Sequence, residues 1–299
     1  TGAVVATTEV CFRPNSIDIS PDETWVLIAC GDGAAEMTVV PLDNGQPGTP
    51  RSFDLDLPNL TERDSDQGLT YAMVHPDGAA AGYVLSNVGV GLVRFELAAD
   101  GIPSAAIAEA PTTDGEWLSV GRWTNSGAHF LVADVAWGPA PTDAVFNGNG
   151  AILSFALSPD TDTRGLVSSA IVSKSPEAME MNRAGDRIIA VNMERTYLPG
   201  GILSIVPGRT ASSLSLVSVD DATGALETLG EPIGFEGVLP EDAVFDADGD
   251  RIAVVIYQDH DAPLSDGWVE VFAVENDEIL ATGTRIPLPR GAHDLFALD

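Results

Sequence analysis

The sequence predicts an all-β protein, a β-propeller of four-stranded antiparallel blades. Three observations predict it: a turn motif that recurs five times, short apolar runs on both sides of each copy, and almost no helical periodicity. The copies are Ser20-Pro21-Asp22-Glu23, His75-Pro76-Asp77-Gly78, Thr124-Asn125-Ser126-Gly127, Asn182-Arg183-Ala184-Gly185 and Asp246-Ala247-Asp248-Gly249. Their last residues are 55, 49, 58 and 64 positions apart, spacings long enough for four short strands each. A solenoid repeat would be shorter, and a pair of sandwiches would not repeat this regularly.

Each element follows from the local pattern. Ile17 and Ile19 precede the first turn and Trp25 to Ala29 follow it, a hairpin of apolar runs around Pro/Asp residues. Val74, Met179 with Met181, and Phe245 precede later turns, and Tyr83-Val84-Leu85, Ile188 to Val191 and Ile252 to Tyr257 follow them. Third strands are expected at 37–42, 91–97, 151–157, 213–219 and 268–274. Turns such as Ala99-Asp100-Gly101 and Asp221-Ala222-Thr223-Gly224 then lead to fourth strands around Ile107, 226–229 and 279–286. A sixth inner strand is expected at 293–299. The N-terminal stretch 3–10 offers one strand towards completing that blade. Six blades are expected, with five or seven as alternatives, in one domain spanning 1–299.

Composition narrows the function. Lys and Arg number 14 against 45 Asp and Glu, a formal charge of −31. Such a surface repels phosphate backbones and anionic membranes, which excludes nucleic-acid and membrane partners. Hydrophobic residues make up 44%, enough to fill a core and exclude disorder, and no apolar run is long enough to cross a bilayer. Lys174 is the one lysine beside thirteen arginines, as expected for a saline or extracellular source or a GC-rich genome. Cys11 and Cys30 could be two buried thiols, but they fall near each other in the first repeat, which favours a disulfide and a periplasmic or extracellular location.

The order of Pro14, Ser20-Pro21-Asp22, then His75-Pro76-Asp77-Gly78 with Asn87, and Pro176 to Asn182-Arg183-Ala184-Gly185 with Asn192, resembles the YVTN-repeat, lactonase-like β-propellers. The resemblance covers most of the chain and concerns blade architecture. It implies a propeller that acts on a lactone, a cyclase, or a propeller that only binds.

Counting five residues back from each turn gives Asn15, Thr70, Ser119, Glu177, Glu241 and, by extension, Asp294, all polar and three of them acids. Inner strands start on one face, so these side chains are expected at one mouth of a central channel. Crowded carboxylates call for a proton or a cation. Asn15, Glu177, Glu241 and Asp294 are therefore a candidate site for a divalent metal, Ca²⁺ by its preference for oxygen ligands; the bland alternative is a hydrated polar lining. His293, Asp294, Glu177 and Glu241 are the candidate catalytic residues, through water activation. Asn192, Arg195, Tyr197 and His260 lie where second strands end and are the candidate substrate-binding residues, with Arg195 suited to a carboxylate. His75 and His129 fall at the turns and are expected on the surface. No nucleotide or organic cofactor is expected, because the dinucleotide and phosphate-loop fingerprints are missing. The leading expectation is a secreted hydrolase of a lactone or related ester, with a small-molecule substrate. The alternatives are a non-catalytic propeller binding a protein or glycan, and a lyase or cyclase on carboxylated small molecules.

Overall fold

The structure, a computed structural model, describes residues 4, 6–11, 14–30, 36–54, 70–85, 91–110, 116–138, 142–157, 165–202, 206–258 and 266–297. Among them are five sheets, one per repeat of the turn motif. The first holds β1 (Pro14–Ile19), β2 (Trp25–Cys30) and β3 (Glu36–Asp43), with β4 (Gln46–Pro47) and β5 (Arg51–Asp54) both paired to β3. The second runs β6 (Thr70–Val74), β7 (Ala80–Leu85), β8 (Leu92–Leu97) and β9 (Pro103–Ala110). The third runs β10 (Leu118–Trp123), β11 (Phe130–Asp134), β12 (Ala151–Phe155) and β13 (Leu166–Ile171), and carries the short helix α1 (Asp143–Phe146) in the connection before β12. The fourth runs β14 (Pro176–Met181), β15 (Arg187–Asn192), β16 (Ala211–Val219) and β17 (Leu226–Glu236). The fifth runs β18 (Val238–Phe245), β19 (Arg251–Gln258), β20 (Gly267–Glu275) and β21 (Glu278–Leu288). Consecutive strands pair antiparallel, as in β14 with β15 and β18 with β19.

The repeated turn is one structure built five times. The N–H of its fourth residue donates to the carbonyl of its first: Glu23 to Ser20, Gly78 to His75, Gly127 to Thr124, Gly185 to Asn182 and Gly249 to Asp246. That fourth residue has positive φ each time, between 56° and 76°, which explains glycine in four copies of five. The first residue supplies a side-chain acceptor that closes the hairpin. Ser20 Oγ accepts from Thr24 N and Trp25 N, Asn182 Oδ1 from Asp186 N and Arg187 N, and Asp246 Oδ1 from Asp250 N and Arg251 N.

The chain divides into two compact units. One comprises 1–114, 121–131 and 155–166, the other 115–120, 132–154 and 167–299. In the first, Trp25, Leu27, Met37 and Val39 pack with Ala72, Val74, Val93 and Phe95. In the second, Ile189, Val191, Leu214 and Leu216 pack with Phe245, Ile252, Val254, Ile256 and Phe272. Alternation along each strand faces these side chains into the layer between neighbouring sheets. Cys11 and Cys30 form a disulfide with Cα atoms 6.0 Å apart, and Val10 and Cys11 pack on Ile28, Cys30 and Val40.

Two expectations change. His75 and His129 are buried and not on the surface. His75 Nε2 lies 2.9 Å from Gly127 O, and its ring sits edge-on to Trp123 at 4.8 Å, so the turn of one repeat is packed against the turn of the next. Residues 293–297, the described part of the expected sixth inner strand, carry no strand pairing. They nevertheless dock on the fifth sheet: Leu295 N donates to Asp242 Oδ2 at 3.0 Å, as Ala72 N of β6 donates to Ser16 Oγ of β1 at 2.9 Å.

Candidate functional site

The aligned polar position coincides with a β-bulge in three inner strands. Register shifts between Pro14 and Ser16 in β1, between Pro176 and Ala178 in β14, and between Pro240 and Asp242 in β18. The residues left without a cross-strand partner are Asn15, Glu177 and Glu241. A proline precedes each one, and a ring without an N–H is suited to the point where a ladder is interrupted. A bulge turns its extra side chain out of the pleat. It also leaves Glu241 and the next residue, Asp242, free to reach towards the same segment.

That segment is the tail after β21. His293 Nδ1 lies 3.3 Å from Glu241 Oε2, and Asp294 is hydrogen-bonded to Asp242. The His293 ring meets Tyr257 at 5.3 Å, and the Arg290 guanidinium lies 5.2 Å from the centroid of the same Tyr257 ring, while Arg290 Nε donates to Gln258 Oε1 at 3.1 Å. The Glu241 side chain is 14% exposed and that of His293 63%, so the cluster opens to solvent at the imidazole.

Electrostatics mark the cluster. Burial, followed by repulsion from Glu241, pushes the Glu177 carboxyl up to about 7, with the charge of His293 opposing. Burial alone pushes Glu241 up to about 7. Asp242 is raised to about 7 by burial and by the proton it shares with Asp294, against the pull of the Leu295 and Ala243 N–H groups. Three carboxyl groups therefore hold protons near neutrality, two of them within electrostatic reach of each other and of an imidazole. Such a set can accept and donate protons in one turnover.

The structure brings Glu177, Glu241, His293 and Asp294 into this one region of the second unit. Asn15 lies at the exposed start of β1 in the first unit. Among the described residues, no group of three or more His, Cys, Asp or Glu side chains is arranged to hold a metal ion. Asn192 is fully buried: its Nδ2 donates to Ser215 Oγ at 3.0 Å and Ser213 Oγ at 3.2 Å. Arg195 is spent on the loop, with Nη1 donating to Val145 O at 2.9 Å at helix α1. Its neighbour Glu194 accepts from Ser213 Oγ at 2.9 Å and pairs with Arg209 at 3.5 Å. Tyr197 donates its hydroxyl to Ala144 O, and burial raises its pKa, with the Glu177 charge contributing in the same direction. Among the described residues expected to bind substrate, Tyr197 is the one whose ionisation the Glu177 charge opposes. His260 lies outside the described residues. Asp242 and Tyr257 were not legible as site residues, although Pro240 before two consecutive acids was a signal for the bulge.

No protein-family model and no curated protein matches the sequence. Solved structures do. Hydrazine synthase of Kuenenia stuttgartiensis matches over 97% of this chain and 69% of its own, at 17% identity and a TM-score of 0.60. The Cps50 (Swd1) β-propeller domain of Myceliophteria thermophila matches over 94% and 74%, at 13% identity and a TM-score of 0.56. A candidate 6-phosphogluconolactonase from Bacteroides uniformis matches over 89% and 69%, at 14% identity and a TM-score of 0.57. These likenesses show the fold: the chain is a β-propeller of four-stranded antiparallel blades, with a lactonase-like protein among its structural neighbours.

Proposed function

We propose that the protein is an extracytoplasmic hydrolase of a lactone or related small ester, with Glu177, Glu241 and His293 handling the protons. The observation that carries this reading is the carboxyl pair held near pH 7 beside the imidazole. Lactone opening needs a base to take a proton from water as it adds to the carbonyl carbon. It then needs an acid to give a proton to the ring oxygen as the C–O bond breaks. Two coupled carboxyls meet both needs near neutrality, because ionising one opposes ionising the other and the pair keeps one proton. His293, 3.3 Å from Glu241 and open to solvent, can return the proton balance to water after each turnover. The neighbouring lactonase-like fold agrees with this chemistry, and the Cys11–Cys30 disulfide agrees with an oxidising compartment. Among the described residues no helix is long and apolar enough to cross a membrane.

A panel of sugar lactones, simple γ- and δ-lactones and aryl esters tests the reading, with and without chelator. The expected result is hydrolysis that chelator leaves intact and that Glu241→Gln lowers by about 10²-fold or more. Turnover that does not exceed the spontaneous rate on every member of the panel would overturn it.

A further inference from the structure

We propose that Trp117, Trp137 and Tyr197 form a binding subsite for an uncharged sugar ring beside the carboxyl pair. The fate of that ring rests on the lactone reading; its binding rests on separate observations. The three rings make a stepped row: Trp117 and Trp137 have centroids 5.9 Å apart at 56°, Trp137 and Tyr197 5.2 Å apart at 64°. All three are part-exposed. The polar edges of Trp137 and Tyr197 are tied to the protein, which leaves their carbon faces for a ligand. Trp137 Nε1 donates to Ser175 Oγ at 3.0 Å, the same oxygen that accepts from Asn147 Nδ2 at 2.9 Å, and Tyr197 donates to Ala144 O. The backbone is pinned as well, since Trp117 N and Ala136 N both donate to Asp134 Oδ1 at 2.9 Å. Ala136, Ser175, Glu194 and Arg195, all close in sequence to these anchors, hold left-handed φ values of 54°, 54°, 51° and 71°. Strain of that kind persists where surrounding contacts over-determine a geometry.

The row is anchored next to the reacting groups, because Trp137 Nε1 is bonded to Ser175 Oγ, two residues before Glu177, and the Glu177 charge contributes to the raised pKa of Tyr197. A sugar ring suits both halves: its C–H faces pack on aromatic carbon, and its hydroxyls meet carboxyls that can donate as well as accept when protonated. An anionic ligand is disfavoured. Arg209 is paired with the Glu194 carboxylate, and Arg195 Nη1 and Lys174 Nζ are held by the carbonyls of Val145 and of Asn147 at 2.6 Å. Glu177 and Glu241 repel negative charge once either ionises.

Tryptophan fluorescence reads this subsite without any need for turnover. Of the five tryptophans, Trp25, Trp123 and Trp268 are buried, so a ligand at the surface acts on Trp117 and Trp137. The probes are methyl α-D-glucoside, methyl β-D-galactoside and cellobiose, with D-glucose 6-phosphate as the anionic counterpart and choline as a cation. A saturable signal with a neutral sugar is expected, about tenfold weaker for the phosphate, and about tenfold weaker by calorimetry in Trp137→Ala or Trp117→Ala. If these variants do not fold, the titration of the unaltered protein decides. No saturable signal with any neutral sugar, equal affinity for the phosphate, or a response to choline alone would overturn the subsite. Neutral-sugar binding without lactone hydrolysis removes only the lactone reading; hydrolysis without neutral-sugar binding removes only the subsite.

Discussion

Replacing Glu177 by Gln tests the physical core of the site through stability. A carboxyl raised from 4.5 to about 7 in the folded protein keeps a proton that the unfolded chain has already released. Stability therefore falls as pH rises from about 4.5 through about 7, and is flat above. At 1.36 kcal/mol per pH unit, the displacement amounts to about 3 kcal/mol once Glu177 is ionised. Glutamine has the shape of the protonated acid and cannot ionise, so Glu177→Gln should match the parent protein at pH 5. At pH 9 it should be more stable by up to about 3 kcal/mol, or roughly 6 °C in Tm for a chain of this length. Thermal unfolding at the two pH values, followed by circular dichroism, measures the difference. An equal Tm offset at both pH values, or destabilisation at pH 9, would refute the reasoning, because Glu177 would then ionise without penalty in the fold.

Other outcomes follow from the same structure. Asp294→Asn should let Asp242 ionise at lower pH, because it removes the Asp294 charge that opposes ionisation; a carbon-13 titration of the Asp242 carboxyl measures the shift. Cys11→Ser opens a loop with a sequence separation of 19 residues, and chain entropy puts the loss at about 3 kcal/mol, measurable by urea unfolding. Gly127→Ala should destabilise by about 2 kcal/mol or more in the same assay, since its φ is 73° and the added methyl would run into the His75 ring. Arg195→Ala should loosen the loop that holds helix α1 and lower Tm, with no preferential loss of affinity for anionic ligands in calorimetry.

The repeat and the strand boundaries were legible because turn chemistry and apolar runs are local. The third strand expected at 213–219, for example, is found as β16, Ala211–Val219. Glu177 and Glu241 were legible by counting back from the turns, since a repeated fold puts equal offsets at equal places. The bulge that aims them was not, although Pro176 and Pro240 announce an interrupted ladder. Asn192 and Arg195 have partners that the sequence did not reveal, for one shared reason. A polar residue at a strand end can face the mouth or serve the loop, and only the partners Ser213, Ser215 and Val145 decide which. His75 shows the same limit, because its Trp123 and Gly127 neighbours come from the next repeat. The tail was legible as a return to the inner position. Its lack of strand pairing was not, because its hold on β18 runs through the side chains of Glu241 and Asp242.

The most direct measurement is a carbon-13 NMR titration of the glutamate carboxyls, assigned with Glu177→Gln and Glu241→Gln. The account predicts two resonances that titrate near pH 7, with that of Glu177 shifting to lower pH when Glu241 is replaced. Two carboxyls that ionise together below pH 5 would contradict it.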